Sequence, residues 1–311
     1  MDRLDTMKVF AAVAAARGFA PAARQLALSP PAVTRAVVAL ERRLGVQLLK
    51  RTTRSVVLTA AGERFHADCR RILAELAEAE AGAGGAQREL QGQLAITAPL
   101  LFGRLHVAPV VIEFLREQPH IDVRCHFVDH IVHLLDDGFD VAVRIAQLPD
   151  SGLNAQRVGA LRRVLVAAPS YLERHGAPAD PLALQQHAAV GLSRGGGSAG
   201  PWLFYPPGHK QRGDGVAVLP RWRLLTNTSE TMIAAAVAGI GLARALAYQV
   251  AAEVRAGTLV VLLPAHEPEP VPVQLVHAEG RQPTAKTRAF IDLAAQRLRA
   301  QPVLDGRFDA A

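Results

Sequence analysis

Two consecutive prolines constrain this chain more than any other feature. Pro30 and Pro31 follow Ser29 and open a run, "PPAVTRAVVALERRLG", otherwise built of good helix formers. Proline is tolerated in a helix only in its first turn, where no intrahelical partner awaits the missing N–H. Ser29 is then the N-cap, its hydroxyl accepting from an amide of that turn. Val33, Val37, Leu40 and Leu44 recur at steps of four, three and four, making one apolar stripe. At about 100° per residue, Pro31, Arg35, Val38 and Arg42 fall on the opposite face. The helix buries one side and presents arginines on the other.

Charge is equally lopsided along the chain. Of 35 Lys and Arg and 28 Asp and Glu among 311 residues, residues 1–71 hold 13 and 5, leaving 22 and 23 to the rest. A basic module joined to a neutral body points to a polyanion at one end. A merely solvated basic surface would give the same tally. No stretch of 18 apolar residues predicts a membrane span, and the start lacks the layout of a signal peptide. Cys69 and Cys125 lack metal or redox spacing and read as free thiols in a reducing cytoplasm.

Leu4, Met7, Phe10, Ala11 and Ala14 predict a first helix closing near Gly18, and a second spans about Pro21 to Leu26. Pro21–Leu44 thus reads as helix, tight turn, helix, the layout whose second helix enters a DNA major groove. Val46–Leu49 and Ser55–Leu58 read as strands around the basic turn Lys50–Arg54, a wing suited to the phosphate backbone. Thr59 then caps a long helix through about Ala81. Along it Phe65, Cys69, Ile72 and Leu76 alternate by four and three, as a coiled-coil seam does. A helix packed on its own body would carry the same stripe. Gly82–Gly92 reads as a hinge.

The segment Ala22–Gly62, "AARQLALSPPAVTRAVVALERRLGVQLLKRTTRSVVLTAAG", closely resembles the winged helix-turn-helix of LysR-type transcriptional regulators. Pro30 stands where that family usually has Gln, so base reading leans on Thr34 and Arg35. Leu49 stands where Phe is common. The resemblance implies DNA contacts from Ser29, Pro30, Pro31, Thr34, Arg35, Lys50, Arg51, Thr53 and Arg54, and pairing through the linker helix into a homodimer or homotetramer.

From Gly92 strands and helices alternate: "QLAITAP", a helix marked by Leu101, Leu105, Ala108, Ile112 and Leu115, "IDVRCHFV", helix "HIVHLLDDG" and strand "FDVAVRIA". A second series runs from "RRVLVAAP" through Ser170–His175, "RWRLLTN", helix Ser229–Ala238 and "GIGLARAL". The expectation is an α/β parallel sheet. "VPVQLVHA" and helix Lys286–Arg299 close the chain, their position suggesting a return to the first lobe. "ITAPLLFGRLHVAP", "DDGFDVAVRIAQLPDSGL", "RRVLVAAPSYLERHG", "AAAVAGIGLARALAYQV" and "KTRAFID" resemble the LysR-type effector-binding domain, a relative of periplasmic binding proteins. That implies a small-molecule effector between two lobes. The expected fold is therefore mixed. A winged helix-turn-helix (1–58) leads through a linker helix and hinge (59–91) to a two-lobed α/β domain (92–302), with 303–311 a polar tail. Lobe I comprises about 92–161 and 268–302, and lobe II about 162–267.

Local chemistry suggests an anionic effector. The helix after Thr97 and Pro99 offers N-terminal amides, and Asn227 and Thr228 open another helix facing the same gap. Arg144, at a strand end, is a candidate carboxylate partner. Leu100, Ile145, Trp202 and Phe204 would cover the remainder of the ligand. Equally, Asn227 and Ser229 serve as caps, Arg144 as an ordinary ion pair, and Trp202 and Phe204 as filling of the second lobe. "GLSRG" (Gly191–Gly195) matches G-x-S-x-G, but the glycine-rich run after Ser193 cannot supply the helix a nucleophile elbow needs. His126, Asp129, His130 and His133 cluster without a further ligand at metal spacing. No catalytic, metal or cofactor site is read, and the expected partners are double-stranded DNA, an effector and a second copy. A two-lobed binding protein or enzyme with an incidental basic appendage is the rival reading.

Overall fold

The computed structural model describes residues 2–51, 56–83, 90–130, 132, 134, 137–147, 153–193, 199–207, 215–278 and 283–305. Contacts divide the chain into two units, Met1–Gly92 and Gln93–Ala311.

In the first unit, α1 (Arg3–Ala16) starts at a reciprocal cap. Asp5 N donates to Asp2 Oδ1 at 2.7 Å and Asp2 N to Asp5 Oδ2 at 3.3 Å. It ends at Arg17, in the left-handed region with φ 49°. α2 (Phe19–Gln25) and α3 (Pro30–Leu44) follow. Ala32 N donates to Ser29 Oγ at 3.4 Å, and left-handed Gly45 closes α3. Val33, Ala36, Val37 and Leu40 are buried against Phe10, Val13 and Ala22, while Leu44 is exposed. The expected stripe therefore ends one turn early, with Leu44 41% exposed directly before the left-handed Gly45 that closes the helix.

β1 (Leu49–Arg51) and β2 (Val56–Leu58) form the antiparallel wing, with Lys50 opposite Val57. Lys50 and Arg51 lie within β1 rather than in a turn, a correction to the expected 46–49 strand. The cause is Glu41, whose Oε1 accepts from Leu48 N at 2.8 Å and Leu49 N at 3.0 Å, holding that stretch against α3 before pairing starts. Thr59 caps α4 (Ala60–Ala83): Gly62 N donates to its Oγ1 at 2.9 Å, and that hydroxyl donates to Gln47 O at 2.8 Å. A Cβ at Gly62 would lie 2.0 Å from Leu48 O, so only glycine lets α4 start against the wing.

The second unit opens with β3 (Gly92–Ala98). α5 (Leu100–Phe102), a π turn at Gly103–Val107 and α6 (Ala108–Glu117) then run on as one helix. β4 (Ile121–Phe127), β5 (Val141–Ile145) and β6 (Leu153–Leu161) follow. β7 (Arg163–Ala167), α7 (Pro169–His175), β8 (Ala188–Leu192), β9 (Trp202–Phe204), β10 (Val216–Val218) and β11 (Arg221–Thr226) come next. α8 (Ser229–Val237), β12 (Leu242–Leu246), α9 (Ala247–Arg255), β13 (Val260–Leu262), β14 (Val271–Ala278) and α10 (Ala285–Arg299) complete the order.

Two five-stranded sheets result, β4-β3-β5-β14-β6 and β11-β8-β12-β7-β13, beside a β9/β10 pair. Both are mixed, correcting the expected parallel sheet. β3 and β5 run parallel, as do β11, β8 and β12. β14 is antiparallel to β5 and β6, and β7 is antiparallel to β12 and β13. The reason is connectivity: β6 passes into β7 through Arg162 alone, and β14 comes back to the first sheet, so these strands oppose the βαβ direction.

Two expected helical features change. Among the described residues of "HIVHLLDDG" there is no helix; Leu134 lies at a turn and is buried with Ala142 and Val276. In the helix after Pro99, Leu105, Ile112 and Leu115 are exposed, while Phe102, Val107, Val110, Val111 and Phe114 are buried. The π turn inserts a five-residue step from Phe102 to Val107, rotating the following α-helical face by one residue.

Candidate nucleic-acid interface and ligand-binding domain

On α3, Ser29, Pro30, Pro31, Arg35, Val38 and Arg42 are exposed and Thr34 is half-buried. The start imposed by Ser29 sets Thr34 and Arg35 in the second turn, Arg35 opposite the buried Val33 and Val37 and Thr34 at the edge of the buried face. Lys50 is exposed on β1. Only the backbone of Arg51 is described, and Thr53 and Arg54 lie outside the described residues. Glu41, which the sequence does not single out, fixes the wing against this helix; its place seven residues before Leu48 gives no pattern that periodicity detects.

Along α4 the seam divides. Cys69 is wholly covered within its own module, packed in the cluster that holds Phe10 and Leu40, with Phe65 and Ile72 half-buried against it. Cys69 is therefore a core residue rather than a pairing residue; burial, with the charge of Asp68, pushes its thiol up to about 11. Leu76 is half-buried and not part of that cluster.

In the second unit the helix after Pro99 touches α8 and α9. Arg104 Nη2 lies 3.6 Å from Glu230 Oε1 in the first turn of α8, and Phe102 packs edge-on to Tyr248 of α9 at 5.2 Å. The chemistry there differs from expectation. Leu100 N donates to Asp129 Oδ1 at 3.0 Å, so a carboxylate already occupies the first amide after Pro99. Thr97, buried, donates its hydroxyl to His126 O at 2.8 Å. Arg144 Nη2 donates to Val132 O at 2.6 Å, a loop tie rather than an ion pair. Burial, then the charges of Asp129 and Glu230, raise the Tyr248 phenol. Two carboxylates, Asp129 and Glu230, and the Arg104 cation thus meet at this junction, and the buried Arg144 Nε has no hydrogen-bond partner among the described residues.

Thr228, not Asn227, caps α8: Thr231 N donates to its Oγ1 at 3.4 Å, and Asn227 is exposed. Ser229 is buried and accepts from Gln249 Nε2 at 2.8 Å. Ile145 is half-buried in register with Val273. Trp202 and Phe204 are 7% and 3% exposed and fill the second lobe, Trp202 edge-on to Trp222. Ser193 donates its backbone N–H to Thr226 O, and residues 194–198, where the nucleophile-elbow question falls, lie outside the described residues. So does His133; among the described residues no group of three or more metal-type ligands gathers. No helix among them is long and apolar enough to cross a membrane.

Comparison with known proteins covers both units. The family model for the bacterial regulatory helix-turn-helix protein, lysR family, matches residues 4–63, and the LysR substrate binding domain model matches 87–299. The HTH-type transcriptional activator AaeR of Escherichia coli is 32% identical over 94% of this chain and 93% of its own length. The HTH-type transcriptional regulator PtxR of Pseudomonas aeruginosa is also 32% identical, over 96% and 94%. Among solved structures, CrgA, a LysR-type transcriptional regulator from Neisseria meningitidis, aligns with a TM-score of 0.59 at 28% identity, covering 94% of this chain and 98% of that one.

Proposed function

Because the chain belongs to the LysR family of transcriptional regulators, a helix-turn-helix DNA-binding module joined to an effector-binding domain, we propose that α3 reads base edges through Thr34 and Arg35 while the wing holds phosphates through Lys50, Arg51 and Arg54. The observation that carries this reading is the exposed Arg35 on a helix whose opposite face buries Val33, Val37 and Leu40. Ser29, Pro30, Pro31 and Thr53 line the approach to the duplex. The working division is 1–58 for DNA, 59–91 for linkage and pairing, 92–302 for the effector and 303–311 as tail. Pairing into a homodimer uses the side of α4 that carries Leu76. The protein acts in the cytoplasm, where DNA is reached and Cys69 and Cys125 stay reduced, and it has no catalytic role, in keeping with relatives named as regulators.

A gel shift in rising salt tests the DNA reading. Phosphate contacts make log affinity fall linearly with log salt, about 0.9 per neutralised phosphate, and a ligand-binding protein with an incidental basic end would show only weak binding that random duplex competes away equally well. Arg35→Ala is expected to cost about 1–3 kcal/mol on the specific site and to flatten the preference over random duplex. Unchanged discrimination would remove Arg35 from base reading.

A further inference from the structure

Three guanidinium groups gather where the chain passes from the first sheet to the second. Arg162 is the single residue joining β6 to β7, and it holds Glu267 through two N–H···O bonds of 2.8 Å. Arg163 begins β7. Arg244, in β12, pairs with Leu165, two residues further along the same strand, so Arg163 and Arg244 stand on one face of the sheet. Arg244 is half-buried, its Cζ 5.1 Å from the centroid of the Phe204 ring, and its Nη2 donates to Leu203 O at 2.6 Å.

Burial, and then the like charge of Arg163, push the Arg244 guanidinium down to about 9. Tyr205 and then Glu267 act in the opposite direction, and both Glu267 oxygens are engaged by Arg162. A cation taken out of water is costly unless an opposite charge completes it. Guanidinium is also the side chain whose flat fork matches a carboxylate with two parallel N–H···O bonds. With one face on Phe204 and one N–H on Leu203 O, its plane is fixed and donors remain.

We infer that Arg244 anchors the carboxylate of a small organic acid in the second lobe, beside Arg163. The groups that build the site come from β7, β9 and β12 and are distinct from Leu100, Asp129 and Glu230 at the junction. Its consequence for transcription rests on the effector-regulated reading above; the binding itself does not.

The test uses the full chain in thermal melts at constant ionic strength, with sodium acetate, benzoate or citrate in place of chloride and benzamide as the uncharged control. At least one carboxylate is expected to raise the wild-type melting temperature above the chloride value, while benzamide does not. Arg244→Gln is expected to lose that rise and to bind the same carboxylate at least about tenfold more weakly. Arg244→Lys, which keeps the charge without the fork, is expected to keep part of it, and circular dichroism in chloride verifies that both variants fold. An equal rise in wild type and Arg244→Gln, or no carboxylate-specific rise in wild type, overturns the assignment. Gel shifts on the same samples separate the two levels. Carboxylate binding without duplex binding would overturn the regulator reading and keep the site; duplex binding without a carboxylate response would do the reverse.

Discussion

At the scale of single residues, local chemistry is legible in the sequence and distant partnership is not. Ser29 caps α3 as its position before two prolines predicts, because an N-cap acts on amides two or three residues away. Asp129 lies 29 residues from the amide it caps at Leu100, and no local spacing announces that bond. It alone reverses the electrostatic reading of the helix start after Pro99. Gly62 is an intermediate case: the letter is visible, but its reason, the approach of Leu48 O, exists only once the wing has folded against α4. Gly62→Ala forces a methyl into the space of a backbone carbonyl, where no rotamer relieves the clash. It is expected to cost about 3 kcal/mol, the upper part of the range for overpacked sites. Urea unfolding followed through the helical signal of the DNA-binding module checks this, and a loss below about 1 kcal/mol would mean that α4 shifts to accommodate it.

At the scale of elements, periodicity identifies helices but not always the face they bury. α3 buries its predicted stripe as far as Leu40 because it is one unbroken α-helix, and only Leu44 in its last turn is exposed. The helix after Pro99 does not, since the step from Phe102 to Val107 is five residues, and a pattern read at 3.6 residues per turn places Leu105 and Ile112 inside when both are exposed. α4 shows a second limit. Its seam is real, but Phe65, Cys69 and Ile72 serve the module's own core, and spacing cannot say whose core an apolar stripe completes. Pairing is therefore tested at Leu76, which lies outside that core. Leu76→Glu places an uncompensated charge in an apolar contact between copies. It is expected to sediment as a monomer and to lose tight operator binding, since one copy reads half a site, while the module's melting is unchanged. A variant that still sediments as a dimer would place pairing elsewhere.

At the scale of the whole molecule, the winged module and the βαβ series are legible, whereas the mixed sheets and the small β9/β10 pair follow from contacts between residues far apart in sequence. The same distant packing sets the response to acid. His106, in the π turn, contacts Phe102 and Tyr248, and burial holds its imidazole below the ordinary 6.5, a hydrogen bond that the ring donates to Gln301 opposing the shift only in part. Burial lowers His187 as well. The folded chain then binds these protons less readily than the unfolded chain, so stability is full above 6.5 and falls as pH drops through and below that value. Thermal melts of wild type between pH 7.5 and about 5 are expected to show this decline, and His106→Asn to show a shallower one. Parallel curves would assign the acid response to other groups.

The order in which the strands sit beside one another also sets when they can form. Among the described residues β6 pairs within its sheet only with β14, and β14 is made about 110 residues after β6 ends. At roughly 5–20 residues per second, a nascent chain waits on the order of 5–20 s with β6 unpaired. All five strands of the other sheet emerge within that interval. The lobe begun first is thus completed last. A ribosome that stops early releases a finished second lobe tethered to a half-sheet whose open edges can recruit another chain.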